Sequence, residues 1–180
     1  KEKKFVPQLG IGGAILAIDV SGSMSGSKLN QAKAGAIDFM QSVVDQKFAT
    51  GVIAFSDHAE TVVEQTLEIN SQVKKRIEDL EIIGSTNMAA AIREAIRKFI
   101  YRKNKRVLVI ATDGQPNSRE ETLKEANLAK SLGIEIRCIG VDGADESFLK
   151  QLASNPNWAL KADSSNLQIG IGSMAKMLNA

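Results

Sequence analysis

At 180 residues the chain suits one compact domain better than two. A hydrophobic share of 43% beside 24% charged residues excludes a disordered segment and allows a sizeable core. The near-balanced charge of +2 comes with few aromatics, and the basic clusters at Lys1, Lys3 and Lys4 and between Arg97 and Arg106 read as solvated cations at a terminus and a helix end, so no nucleic-acid partner is expected. No run reaches the roughly 18 apolar residues of a membrane span, so no membrane insertion is expected in this segment. Cys138 stands alone in an apolar run and reads as a buried thiol with no intrachain disulfide. The expected location is cytoplasmic; extracellular or surface-anchored is the alternative for a domain excised from a longer chain.

Strands and helices alternate along the chain, which points to a parallel sheet with helices on both faces. Ala14 to Ile18 is a continuous apolar run that ends at Asp19, as a buried central strand should read. After a Gly/Ser loop, Leu29, Ala32, Ala36, Phe39 or Met40, and Val43 recur at helical spacing. Thr50 to Phe55 is the second strand and Thr61 to Ile69 the third. The polar turn between them, Ser56 to Glu60, is too short for a crossover, so these two strands are expected to form an antiparallel hairpin.

A short helix is expected over Ser71 to Leu80, then a loop from Ile82 to Asn87, then a helix from Met88 to Tyr101 with Ile92, Ala95, Ile96 and Phe99 on one face. Arg106 to Ala111 is a buried strand running into Thr112-Asp113-Gly114. Ser118 and Glu121 have capping-box spacing, and Gly133 closes the helix they open. Ile134 to Val141 is the fifth strand. A short helix near Asp145, a weak strand around Trp158 to Lys161 and a helix after Ser164 complete the pattern. The fold class expected is α/β: a doubly wound, mostly parallel central sheet with one antiparallel edge strand. It forms a single domain over residues 1–180, with 1–12 as an N-terminal extension.

In open α/β sheets, ligands sit beyond the carboxyl ends of the strands, near the switch in strand order. Three segments meet that criterion, and all are rich in oxygen: Asp19-Val20-Ser21-Gly22-Ser23, Ser85-Thr86, and Thr112-Asp113-Gly114. Alternate side chains of an extended loop point the same way, so Asp19, Ser21 and Ser23 can address a single point. An all-oxygen set suits a hard cation, Mg²⁺ or Mn²⁺ with Ca²⁺ as a further candidate, and not zinc. With only Asp19 and Asp113 as carboxylates, the set balances the ion's charge without saturating it and leaves room for an acidic ligand from outside.

These residues carry a resemblance to a known family. Asp19-Val-Ser-Gly-Ser23 with the later Thr86 and Asp113 is similar to the D-x-S-x-S, T and D signature (MIDAS motif) of von Willebrand factor A domains and integrin I domains, from about Gly13 to the last helix. The resemblance implies a Rossmann-like fold and a protein-binding or adhesion module, not an enzyme. It implies that Ser21 and Ser23 ligate the metal directly, and that Thr86, Asp19 and Asp113 act directly or through water. An Asp or Glu of a protein partner, in a larger chain or multiprotein assembly, would complete the octahedron. It also implies that a last helix, from roughly Ser164 to Leu178, could shift with affinity. Met24, Asn87, Met88, Gln115, Pro116 and Asn117 flank the ligands and are candidates for the partner-binding rim.

Other chemistries fit less well. A Mg²⁺-dependent phosphoryl-transfer hydrolase with Asp19 as nucleophile would want a second Asp at position 21, where Ser21 stands. Ser25-Gly-Ser-Lys28 matches S-x-x-K but lacks its companion motifs, and Gly10-Ile-Gly-Gly13 precedes its strand instead of following it. A structural domain with a vestigial metal site is the remaining alternative. The one histidine, His58, falls in the predicted hairpin turn, a place expected to be exposed and far from the strand ends that carry the metal residues.

Overall fold

Seven consecutive buried residues make up the first strand, β1 (Gly13–Asp19), which places it in the middle of a sheet covered on both faces. The computed structural model describes residues 11–178. After β1 come α1 (Ser27–Asp45), β2 (Ala49–Phe55), β3 (Ala59–Thr66), α2 (Ser71–Glu78) and α3 (Met88–Phe99). The chain continues with β4 (Arg106–Thr112), α4 (Arg119–Ser131), β5 (Ile134–Val141), α5 (Glu146–Leu152), β6 (Ala159–Ala162) and α6 (Leu167–Ser173). The strands lie in the order β3-β2-β1-β4-β5-β6. Only β3 runs antiparallel, paired to β2 at one edge.

The pleat sorts the core into two halves. Ala14, Leu16 and Ile18 of β1, with Val107 and Val109 of β4, pack under α1, α2 and α6. Ile15 and Ala17, with Leu108 and Ile110, pack under α3, α4 and α5. Alternate side chains of a strand face opposite sides, so an unbroken apolar run is what a central strand between two helical layers requires. The helices match this. Leu29, Ala32, Ala36, Phe39, Met40 and Val43 of α1 are all buried, as are Ile92, Ala95 and Phe99 of α3, while Ile96 is partly so. Asn87, Ser118 and Asp145 cap α3, α4 and α5 by accepting backbone N–H groups at 3.1, 3.1 and 3.2 Å. Glu121 of the expected capping box sends its carboxylate to Arg93 on α3.

Two boundaries differ from expectation for identifiable reasons. β3 begins at Ala59, two residues early, because pairing with β2 persists to Phe55↔Ala59 at the turn, and it ends at Thr66. The last helix is only Leu167–Ser173. A Cβ at Gly170 would overlap Ile139, so glycine lets this short helix lie close on β5. Beyond it the chain turns, with Met177 at φ 58°, and is tied down from outside. Gln46 donates to Ala175 O at 2.6 Å and accepts from Leu178 N at 3.2 Å, and Arg137 donates to Met174 O and Lys176 O. The extension expected over 1–12 lies outside the described residues up to residue 10. Gly12 already accepts from Ala49 N at 2.9 Å.

What the topology contributes to function is a crevice. From β1 the chain goes to β2 on one side, while β4 lies on the other, so the strand order switches between β1 and β4. The loops leaving β1 and β4 therefore diverge at their carboxyl ends, where Asp19 and Asp113 stand.

Candidate functional site

Asp19 ends β1 and is fully buried. Its Oδ1 accepts the Ser21 N–H at 2.9 Å, and its Oδ2 accepts the Thr112 hydroxyl at 2.8 Å from the end of β4. Thr112 Oγ1 in turn accepts the Gly114 N–H at 3.0 Å. Burial pushes the Asp19 carboxyl above its ordinary range. The hydrogen bonds from Ser21 and Thr112 pull the other way, and the nearby charge of Asp113 adds to the rise.

After Asp19 the chain does not continue as a simple extended loop. Ser21 is extended, and Gly22–Met24 then close a 3-10 turn. The turn still brings the Ser21 and Ser23 hydroxyls within 3.2 Å of each other, one buried and one exposed. It also points Met24 into the core, where it is wholly buried. Met88 has the same fate as the first residue of α3. Neither methionine can reach a partner at the rim, because adjacency in sequence to a ligand does not set which way a side chain faces.

Thr86 lies in the loop between α2 and α3 and is 7% exposed. Asn117 holds it by both ends of its peptide. The Thr86 N–H donates to Asn117 Oδ1 at 3.1 Å, and the Asn117 N–H donates to Thr86 O at 2.8 Å. The same loop lies along the first one, with Ile83 N donating to Val20 O at 2.9 Å and Gly22 N to Gly84 O at 3.3 Å. Each pair of the three loops is thus joined: the first and third through Thr112–Asp19, the first and second through Ile83–Val20, the second and third through Asn117–Thr86. Asp113 completes the set. It is nearly buried, and its Oδ1 has no hydrogen-bond partner.

The donor chemistry fits a hard divalent cation. Asp19 and Asp113 are the carboxylates of that donor set, and among the described residues no group of three or more His, Cys, Asp or Glu side chains gathers elsewhere. A buried carboxylate oxygen without a donor is costly unless a cation or water faces it. Of the other rim candidates, Gln115 and Asn117 are exposed, and Asn87 and Pro116 half-buried. Asn117 spends its amide on the Thr86 loop and on Ser85 Oγ at 3.2 Å, and Asn87 caps α3. Gln115 is therefore the rim candidate with the freest side chain. Ile83, 63% exposed and paired by its backbone to Val20, stands beside the first loop and is a further rim candidate that was not singled out from the sequence.

The hairpin turn corrects a further expectation. β1 and β2 are parallel with Asp19 opposite Phe55, so the turn that follows Phe55 emerges at the site's end of the sheet and not far from it. His58 in that turn is exposed, as expected. Its neighbour Asp57 is the residue missed: it accepts both the N–H of Ser85, at 2.9 Å, and the Ser85 hydroxyl. The rule that selected Asp19, a polar residue just beyond a buried parallel strand, would have selected Asp57 as well.

The family model of the von Willebrand factor type A domain matches residues 15–171, from within β1 to within α6. The chain belongs to this family. Mouse (Mus musculus) matrilin-4 is 31% identical to this von Willebrand factor A domain over 128 residues, 71% of the chain. The alignment covers 19% of matrilin-4, so the chain spans about a fifth of the curated relative it matches. The von Willebrand factor domain of the type V pili tip protein Mfa5 from Porphyromonas gingivalis superimposes with a TM-score of 0.86 at 13% identity, covering 95% of this chain and 96% of that one. The pilus adhesin SpaC from Lactobacillus rhamnosus GG gives 0.82 at 17% identity, covering 95% of this chain and 30% of that one. At such identities these two likenesses are ones of fold.

Proposed function

We propose that this von Willebrand factor A domain is a divalent-cation-dependent protein-binding module of the MIDAS, integrin I-domain-like kind. Ser21, Ser23, Thr86, Asp113 and Asp19 hold Mg²⁺ or Mn²⁺, with Ca²⁺ a weaker fit. The observation that carries the reading is the donor-free, buried Oδ1 of Asp113, in a crevice where three hydrogen-bonded loops gather two carboxylates and three hydroxyls. When bound, the cation supplies a Lewis-acidic point to which a carboxylate of a partner can attach. The chain's own residues do the rest. Thr112 and the Ser21 N–H fix the Asp19 carboxylate, Asn117 fixes Thr86, and Gln115 and Ile83 stand at the rim to meet the partner's surface.

Adhesion or assembly with other proteins is the activity this supports, in keeping with relatives named as a matrilin, a pilus adhesin and a pilus tip protein. These names favour the extracellular or surface-anchored alternative over a cytoplasmic location. Hydrolysis through Asp19 is disfavoured because the second Asp such an enzyme wants two residues on is Ser21 here, whose N–H instead anchors Asp19 Oδ1 at 2.9 Å.

The test is thermal unfolding in EDTA and in millimolar Mg²⁺ or Mn²⁺. A ligand at 100 times its Kd that binds only the native state stabilises by about 2.7 kcal/mol, or roughly 5–10 °C in Tm for a domain of this size. That rise is expected in the wild type and should vanish in Ser21→Ala/Ser23→Ala. An equal rise in both would mean the cation binds elsewhere.

A further inference from the structure

The loop that carries Thr86 is fastened on one side by Asn117 and on the other by the β2–β3 hairpin turn, and the second fastening is not explained by the fold alone. Asp57 Oδ1 receives two donors from one residue, the N–H of Ser85 at 2.9 Å and its hydroxyl. Two further bonds tie the same turn to the same loop: Asn87 N to Ser56 O at 2.6 Å and Asn87 Nδ2 to Asp57 O at 3.2 Å. Ser85 Oγ also accepts from Asn117 Nδ2 at 3.2 Å, so Ser85 bridges the two fastenings. The backbone is shaped to allow this. Gly84 sits at φ +66°, where side chains are disfavoured, and a Cβ there would come within 2.5 Å of Asp57 Oδ2. Glycine therefore lets the loop approach the carboxylate closely.

None of these contacts involves the core. Asp57 and Ser85 are both exposed, and neither is among the residues of the two apolar clusters. Their bonds fix the loop on either side of Thr86, at Ser85 and at Asn87. We infer that Asp57 is a positioning residue for the cation site: through Ser85 it holds the Thr86 hydroxyl where the Asp19–Ser23 and Thr112–Gly114 loops need it. This rests on the cation-site reading above. It assigns the hairpin turn at the edge of the sheet a part in that site, although it supplies none of the proposed ligands.

The experiment measures Mn²⁺ affinity by calorimetry, and amide exchange of Ser85 and Thr86 by NMR in EDTA, for wild type, Asp57→Ala, Asp57→Asn, Ser85→Ala and the Asp57→Ala/Ser85→Ala double variant. Partners that orient metal ligands from the second layer typically cost about 10–100-fold in affinity when removed. Asp57→Ala and Ser85→Ala are each expected to weaken Mn²⁺ about tenfold. The double variant should lose clearly less than the sum of the two singles, because most of what Ser85 contributes passes through Asp57, the rest through its bond with Asn117. Asp57→Asn, which keeps an acceptor oxygen, should fall between wild type and alanine. Faster exchange of the Ser85 and Thr86 amides in Asp57→Ala, with an unchanged Tm in EDTA, would separate positioning from a general loss of stability. Wild-type affinity in Asp57→Ala would overturn the inference, and so would full additivity in the double variant. No Mn²⁺ binding by the wild type would overturn the cation-site reading itself, and the role of Asp57 with it.

Discussion

Asp19 and Arg137 are both buried charged side chains, of opposite sign, and they are treated very differently. Arg137, on β5 and 1% exposed, is saturated with partners. Its Nε donates to Glu135 at 2.9 Å, its Nη1 donates to the carbonyls of Met174 and Lys176 at 2.9 and 2.5 Å, and its guanidinium lies 3.7 Å from the centre of the Trp158 ring. Asp19 is just as buried, but its partners are a backbone N–H and a neutral hydroxyl, and its nearest charged neighbour of note, Asp113, has the same sign. A buried charge that is fully paired is a structural fastening, here of the segment after α6. A buried charge whose neighbours only partly offset its desolvation marks a place organised around something else.

The largest effect that would sharpen this contrast is expected from Arg137→Ala. It strands the buried Met174 carbonyl, breaks the part-buried bond to Lys176 O and the pair with Glu135, and unfastens the C-terminal segment, so urea unfolding should show a loss of about 3 kcal/mol, equal with and without Mg²⁺. A loss that depended on metal would break the contrast. Next comes Asp19→Asn, which keeps the shape and removes the charge. In EDTA its stability should match or exceed the wild type by about 1 kcal/mol, because the desolvated charge is gone. In saturating Mg²⁺ it should lack the wild type's gain of about 2.7 kcal/mol. A large loss in EDTA would mean Asp19 is structural in the way Arg137 is.

Smaller effects test the background against which both charges stand. Cys138 lies in the half of the core under α3–α5, and burial pushes its thiol up to about 12. It should stay unreactive to a thiol reagent at pH 8 in the native protein and react fully in denaturant; native reactivity would show that this half of the core opens. The exposed pair Lys75–Asp79, 3.0 Å apart on α2, is expected to contribute less than about 0.5 kcal/mol, measured as the change in urea midpoint on Lys75→Ala.

The sheet was legible because β1 and β4 carry unbroken apolar runs, Ala14 to Ile18 and Val107 to Ala111, and α1 and α3 repeat an apolar face at 3.6 residues, both local signals. The candidate ligands Asp19, Ser21, Ser23, Thr86 and Asp113 were legible because they follow strand ends or stand in a loop of recognisable pattern. What escaped depends on contacts remote in sequence. Asp57 meets Ser85 only because β1 and β2 are parallel, and in isolation an Asp in a Ser-Asp-His turn reads as turn chemistry. Arg137 sits in an apolar strand, and its partners Met174 and Trp158 arrive from later elements; a lone arginine in a buried run was the available sign. Met24 and Met88 were misplaced for the converse reason. Neighbours of the candidate ligands in sequence, they are turned into the core by a 3-10 turn and by the first turn of α3.

The most direct measurement is an anomalous difference map from a crystal of this domain soaked in Mn²⁺. One strong peak is expected, bounded by Ser21 Oγ, Ser23 Oγ and the side chains of Thr86, Asp113 and Asp19, and absent in Ser21→Ala/Ser23→Ala. A soaked wild-type crystal with no peak in that crevice, or with its strongest peak on another group of carboxylates, would contradict the cation-dependent reading.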